Sequence, residues 1–175
     1  KWSHFEESLR VPLIIRDPRA PRPGRGRVVD AMTLNVDLPA TFLDWAGVKR
    51  PAAYEGRSLA PFVRGEATPE WRSHFFCEHL DLAPTLTWEG IRGERFVYAR
   101  YFDQKPAFEF LHDLRNDPDE LRNLAVDPDH AADLARMRAL CDEEMNGRGG
   151  ALPPVDERGL RKAGARKAPK QPRPK

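Results

Sequence analysis

The chain has 175 residues, which is enough for one domain with a hydrophobic core. Apolar residues make up 40% of it and charged residues 32%, and no run approaches the ~18 apolar residues of a membrane-spanning helix, so we expect no membrane span. The formal net charge is +2, but residues 153–175 hold eight Lys and Arg against two acidic residues. This basic tail has no apolar periodicity and is interpreted as disordered.

The first segment ends in a short apolar run that is rich in β-branched residues. The sequence Val-Pro-Leu-Ile-Ile predicts a buried strand over residues 11–16, with Pro12 near the start of the strand or on a sheet edge. Residues 17–27 are rich in Pro, Gly and Arg and predict a loop. Residues 28–34 are interpreted as a short strand or an extended link.

Two helices are predicted next. Asn35 is placed to cap a helix over residues 36–46, which Gly47 ends. The residues 58–63 predict a shorter helix that stops at Gly65. The apolar stripe of the first helix is predicted to contain four residues: Val36, Phe42, Leu43 and Ala46.

Short strands are predicted from residue 71 onward, in three ranges: 74–79, 90–102 and 109–114. The range 90–102 alternates as a hairpin with its turn at Gly93-Glu94. The loop 80–89 before it carries Trp88. The later segment 117–120 is interpreted as a turn, because it lacks the ligand spacing and central Gly of a calcium loop.

A last helix is predicted over residues 128–145, with Asp127 as its cap and Pro128 at its first position. We expect this helix to pack across the antiparallel sheet through one apolar stripe: Leu134, Met137, Leu140, Cys141 and Met145. Cys77 and Cys141 are the only cysteines, and they are interpreted as free thiols because a zinc site needs more ligands at close spacing.

Four segments resemble, in the same order, motifs of the type I sulfatases, which belong to the alkaline phosphatase superfamily. They are KWSHFEESLRVPLII at 1–15, VDLPATFLDWAG at 36–47, GRSLAPFVRG at 56–65 and FEFLHDLRNDPDELRNLA at 108–125. The resemblance implies an α/β fold. Residues 1–70 would form the end of an alkaline-phosphatase-like α/β domain, residues 71–150 a small antiparallel sheet subdomain with a C-terminal helix, and residues 151–175 the basic tail.

The resemblance also implies that the complete protein hydrolyses sulfate monoesters. Sulfatases of this family use a formylglycine, made from Cys or Ser in a Cys-x-Pro-x-Arg motif, and a divalent cation, usually Ca²⁺, under the sulfate. This chain contains no such motif. We therefore expect the nucleophile and all metal ligands to lie upstream of Lys1, and we expect no turnover from this chain alone.

One sulfate-contacting position of the family maps to this chain, and it is Lys1. A lysine ammonium is a compact charge that suits a sulfate oxygen. His4 lies three residues on and is a second candidate for the same pocket, with a local structural role as the alternative. His79, beside the loop 80–89, is a candidate for the rim of the substrate site. His74 and His79 would point to opposite faces of their strand, which argues against a shared metal site.

Other functions stay open at this point. A phosphonate monoester or phosphodiester hydrolase of the same superfamily would carry the same motifs. A non-catalytic module would hold a polyanion through the basic tail at 153–175, and a fragment would have no function of its own. No aromatic residue interleaves with the charges of the tail, so no nucleic acid partner is expected. The expected substrate is a sulfated small molecule or glycan, and by family analogy the protein would be periplasmic or secreted.

Overall fold

The structure is a computed structural model that describes residues 3–20, 26–68, 70–79, 87–101 and 108–148. Its helices are α1 (Glu6–Leu9), α2 (Asp37–Trp45), α3 (Ala60–Arg64) and α4 (Ala131–Gly147). The chain divides into two compact units, Pro12–Ser73 and Lys1–Val11 with His74–Lys175. The predicted disorder of the tail at 151–175 lies outside the described residues. In the part of the chain that is described, no helix has both the length and the apolar character to span a membrane.

The larger unit is built on an antiparallel sheet whose four strands follow one another in chain order. The strands are β1 (His74–His79), β2 (Trp88–Gly93), β3 (Phe96–Tyr101) and β4 (Phe108–Asp113). Aromatic and β-branched residues fit the pleated surface of such strands, and the predicted strands are confirmed. The predicted hairpin turn is one residue out, because Gly93 still pairs with His74 and the turn falls at residues 94–95.

Helix α4 covers one face of this sheet. A single 3₁₀ turn at Pro128–His130 precedes the helix, and Asp127 caps that turn by accepting a hydrogen bond from the Asp129 N–H. The predicted helix and its apolar stripe are confirmed, but the α-helix begins at Ala131 and not at Pro128, and His130 and not Asp127 occupies its cap position. The core beneath the helix combines residues from α4 and from the sheet: Leu134, Met137 and Cys141 with Ile91, Phe96, Tyr98 and Leu111.

Trp88 lies at the start of β2 and not in the preceding loop, so its predicted place is wrong. Its side chain is 3% exposed and packs with Ala99 and Tyr101 on the sheet face opposite α4. Burial of a large ring against the neighbouring strand extends the ladder back to residue 88, where Trp88 pairs with His79.

In the unit Pro12–Ser73, the buried carboxylate of Asp37 organises α2. Its two oxygens accept hydrogen bonds from both terminal nitrogens of Arg72 at 2.7 Å, and from the backbone N–H groups of Leu34 and Arg57 at 2.7 and 2.8 Å. The predicted Asn35 cap is wrong, because Val36 occupies the cap position and no side chain caps the helix there.

The apolar stripe predicted for α2 is also wrong in this structure. The buried residues of the helix are Asp37, Ala40 and Thr41, whereas Val36 and Phe42 are exposed. The ion pair of Asp37 with Arg72 keeps the side of α2 that carries Asp37 buried. The short helix α3 is confirmed, and it ends at Gly65, whose positive φ of 79° suits glycine.

Residues 11–16 form no strand, and the predicted buried strand is wrong for this chain. Ile14 is 91% exposed and Leu13 44%, and both line an apolar groove of about 740 Å³ together with Leu59 and Phe62. A strand needs a neighbour to pair its backbone N–H and C=O groups, and none of the described residues supplies one to this segment. Residues 28–34, predicted as a short strand or an extended link, contain no strand, so only the link agrees with the structure.

Candidate functional site

The segment before residue 11 packs on the face of the sheet that α4 leaves open. Leu9 packs against Trp88, Ala99 and Tyr101, whose side chains form the apolar part of that face. Helix α1 is tied to β2 by Glu6, whose carboxylate accepts two hydrogen bonds from Arg92 at 3.0 and 2.9 Å. The segment that carries two of the three predicted substrate residues is therefore anchored to the sheet.

His4 lies at the centre of this contact and is 1% exposed. Its Nδ1 is 3.0 Å from the Tyr101 hydroxyl, and its Nε2 is 3.2 Å from Nε2 of His112. His112 Nδ1 is 3.0 Å from the carbonyl oxygen of Arg122. A carbonyl only accepts, so His112 carries its proton on Nδ1 and accepts at Nε2 from the His4 Nε2–H, while Tyr101 donates to His4 Nδ1.

Both histidines of this chain of hydrogen bonds are held in the neutral form. Burial, together with the smaller effect of the nearby His112, lowers the pKa of His4 to about 3. Burial also lowers the pKa of His112, against the opposing effect of its bond to the Arg122 carbonyl. The structure thus gives His4 a structural role as a neutral link, and its contact with a substrate stays a prediction.

The strand register brings His4 and His79 to the same end of the sheet. His79 pairs with Trp88 and Trp88 pairs with Tyr101, and residues directly opposite each other in an antiparallel pair point to the same face. The ring centroid of His4 is 6.1 Å from that of Trp88 and 5.6 Å from that of Tyr101. We call this corner, made of His4, His79, Trp88 and Tyr101, the aromatic end of the sheet.

Lys1, which precedes His4 by three residues in the sequence, lies outside the described residues. The connections 80–87 and 102–107 leave β1 and β3 at the aromatic end, and both lie almost entirely outside the described residues.

His74 lies on the face of the sheet that α4 covers, where its Nε2 is 3.3 Å from Glu144 of α4. The prediction of opposite faces for His74 and His79 is therefore confirmed.

A charged cleft of about 430 Å³ lies at the other end of the same strands. Its lining includes four arginines and two glutamates: Arg10, Arg92, Arg95, Arg115, Glu6 and Glu94. Two of the arginines are already neutralised, since Arg92 pairs with Glu6 and Arg95 pairs with Asp113 at 2.7 Å. The cleft is therefore less positive than its arginine content indicates.

The described residues contain no metal cluster and no activated thiol. They contain no group of three or more His, Cys, Asp or Glu side chains that could hold a metal ion. Cys77 and Cys141 are free, as predicted, and burial raises the pKa of each thiol to about 12. Neither thiol is ionised near neutral pH, so neither is an activated nucleophile.

The segment 117–120, predicted to be a turn and not a calcium loop, forms a turn in the structure.

Comparison with known proteins gives a consistent match. The family model described as N-sulphoglucosamine sulphohydrolase, C-terminal, matches residues 1–146. The N-acetylglucosamine-6-O-sulfatase of Bacteroides thetaiotaomicron is 31% identical over 144 residues, which cover 79% of this chain and 25% of that protein.

Two solved structures share the fold. The phosphonate monoester hydrolase of Silicibacter pomeroyi is 33% identical with a TM-score of 0.63, over 81% of this chain and 30% of that one. A protein in complex with its substrate D-glucosamine-2-N,6-O-disulfate is 26% identical with a TM-score of 0.57, over 64% of this chain and 24% of that one. The chain thus spans between 24% and 30% of the length of these proteins.

Proposed function

Because the chain belongs to the N-sulphoglucosamine sulphohydrolase C-terminal family, and so forms the C-terminal portion of a type I sulfatase of the alkaline phosphatase superfamily, we propose that the complete protein hydrolyses sulfate monoesters. The observation that carries the proposal is the family match over residues 1–146, which contains all four motifs in order. The antiparallel sheet with its C-terminal helix agrees with the predicted fold.

The proposed substrate is a sulfated small molecule or a sulfated glycan. This is supported by the neighbour that binds a disulfated glucosamine and by the relative named for a sulfated N-acetylglucosamine. In our proposal the ammonium of Lys1 contacts the sulfate, and His79 contributes to the rim at the aromatic end. His4 holds the segment of Lys1 in place and is a further candidate for substrate contact.

The catalytic group and the metal of the proposed reaction are assigned to other parts of the complete protein. The sequence has no Cys-x-Pro-x-Arg motif, and the described residues have no oxygen-rich cluster that would suit Ca²⁺. The residues present here therefore do not fit calcium or formylglycine, and no step of the reaction is assigned to them. We expect the chain alone to release no sulfate.

A second candidate is hydrolysis of phosphonate monoesters or phosphodiesters. It is favoured by the phosphonate monoester hydrolase of Silicibacter pomeroyi, whose TM-score of 0.63 covers 81% of this chain. The same C-terminal architecture thus occurs in hydrolases of either kind of ester.

Contact of the basic tail with a polyanion is a separate proposal. If it is right, deletion of residues 153–175 should abolish salt-sensitive retention of the chain on a heparin column.

The test is a panel of esters offered to the complete protein that contains this chain. We expect the largest kcat/KM for a sulfate monoester, and an at least tenfold rise in KM when Lys1→Ala removes the proposed sulfate contact. Lys49→Ala, which changes an exposed lysine of the other unit, is the matched control. A preference for phosphonate or phosphodiester substrates would select the second candidate, and an unchanged KM would remove Lys1 from the site.

A further inference from the structure

Glu120 is held in a conformation that glutamate rarely adopts. Its φ is 53°, and among the described residues it is the only one other than glycine with a positive φ. A side chain strains the backbone in this region, so the conformation persists only where surrounding contacts fix it. Glu120 is also only 4% exposed, and a glutamate is almost never buried without a partner. Both facts point to a specific role for its side chain.

The side chain of Glu120 joins the turn after β4 to the beginning of α1. Its Oε2 accepts a hydrogen bond of 2.6 Å from the backbone N–H of Glu6, which lies 114 residues earlier. Glu6 is the first residue of α1, and Phe5 before it gives no side-chain cap. The first N–H groups of a helix have no partner within the helix, so Glu120 supplies from a distant turn the acceptor that a local cap would provide.

The contact is sensitive to charge. The charged groups that act on the carboxyl are Glu6 and Glu7 of α1 and Arg92 of β2. In its own turn, the Asp117 carboxylate accepts a hydrogen bond from the backbone N–H of Arg122. Burial raises the pKa of Glu120 to about 7, and the carboxylates of α1 add to the rise. The hydrogen bond from the Glu6 N–H and the guanidinium of Arg92 oppose it. Its Oε1 is buried and has no hydrogen-bond partner among the described residues. The carboxyl therefore exchanges a proton near neutral pH while it holds the helix.

We propose that Glu120 is a positioning residue, whose hold on the first turn of α1 fixes the segment that precedes the helix, and with it His4, at the aromatic end of the sheet. The inference rests on the proposed function, because it assigns Lys1 a substrate. Glu120 does not touch the substrate in this proposal. It acts through the backbone of Glu6, which lies two residues after His4 and five after Lys1.

Two variants distinguish the effect of the Glu120 carboxyl from the effect of the strained backbone at residue 120. Glu120→Gly removes the acceptor without strain, because glycine adopts a positive φ freely. Glu120→Gln keeps a carbonyl acceptor that cannot ionise. Glu143→Gln is the matched control, since Glu143 is exposed on α4. In hydrogen exchange of the full 175-residue chain, we expect the amides of residues 6–10 to exchange at least about tenfold faster in E120G only, with the amides of β3 unchanged.

Kinetics of the complete protein then distinguish positioning from simple stability. E120G should raise KM for the cleaved ester at least about tenfold with little change in kcat, because the segment of Lys1 is less often in place. E120Q should keep KM near that of the wild type and reduce the change of KM with pH around neutrality.

Unchanged exchange of residues 6–10 in E120G would overturn the hold on α1, and faster exchange with an unchanged KM would overturn the positioning role. If E120G does not fold, the pH profile of E120Q decides, and a profile like that of the wild type overturns the proposal. A complete protein that cleaves only phosphonate or phosphodiester substrates refutes the proposed sulfatase function alone. The exchange rates, and the KM for the ester that it does cleave, still test Glu120.

Discussion

Replacing His4 with Phe should remove the loss of folding stability at acid pH that this histidine causes. The pKa of His4 is about 3 in the folded chain, against an ordinary value of 6.5. The unfolded chain therefore binds one more proton than the folded chain between these values. The stability that depends on neutral His4 is present above pH 6.5 and is lost as pH falls toward 3. At about 1.4 kcal/mol per pH unit, the loss between about pH 7.5 and 5 is about 2 kcal/mol.

Glu120 has the opposite effect over the same range. Its pKa rises from 4.5 to about 7 on folding, so its contribution is present below pH 4.5 and is lost as pH rises through 7. Lowering the pH from about 7.5 to 5 therefore returns up to about 2 kcal/mol. The two effects oppose each other over this range, so acidification should cost H4F less stability than it costs the wild type, whereas it should cost E120Q more.

The measurement is urea unfolding of the full chain, followed by tryptophan fluorescence at several pH values. H4F also carries a constant cost of about 1–3 kcal/mol, because the Tyr101 hydroxyl and His112 Nε2 lose their partner. Leu9→Ala is the control, since it removes packing on the same face and should lower stability while it keeps the wild-type dependence on pH. An H4F variant with the pH dependence of the wild type would refute the reasoning.

Three further outcomes are expected. Asp37→Asn leaves the guanidinium of Arg72 buried without its counter-charge, so the free energy of unfolding should fall by about 3–5 kcal/mol in urea, and a loss below about 1 kcal/mol would contradict the buried pair. Cys77 and Cys141, each with a pKa of about 12, should react with a disulfide reagent near neutral pH only in denaturant, and rapid labelling of the native chain would show that they are accessible thiolates. Ile14→Lys should leave stability within about 0.5 kcal/mol and reduce self-association in light scattering, and equal scattering would mean that the apolar groove does not cause association.

Elements that depend on local signals could be predicted from the sequence. The alternation of residues 96–101 and the helical stripe of residues 131–147 are sufficient to define β3 and α4, because each pattern lies within one element. The strand predicted at 11–16 failed because a strand also needs a partner, and the sequence of one segment does not show whether a partner is present. The buried face of α2 failed because Arg72, which holds Asp37 inside, lies 35 residues away.

The candidate site also has features that local sequence patterns predict and features that they do not. The parity of β1 placed His74 and His79 on opposite faces correctly, since side chains alternate along any strand. The sequence did not reveal the contacts of His4 with Tyr101 and His112, which span 97 and 108 residues. It also gave no sign that Glu120 adopts a positive φ. Long-range contacts of this kind depend on the register of the whole sheet and not on the residues that precede or follow each partner.

The neutral state of His4 determines where the positive charge for a sulfate ester would come from. Because burial holds the pKa of His4 at about 3, His4 adds no positive charge to the aromatic end at any pH near neutrality. Lys1 is the cation nearest to His4 in the sequence, so it carries the charge in the proposed site. Glu120 and its hold on α1 are then expected to contribute to any dependence of substrate affinity on pH near 7, because the pKa of Glu120, about 7, lies in that range.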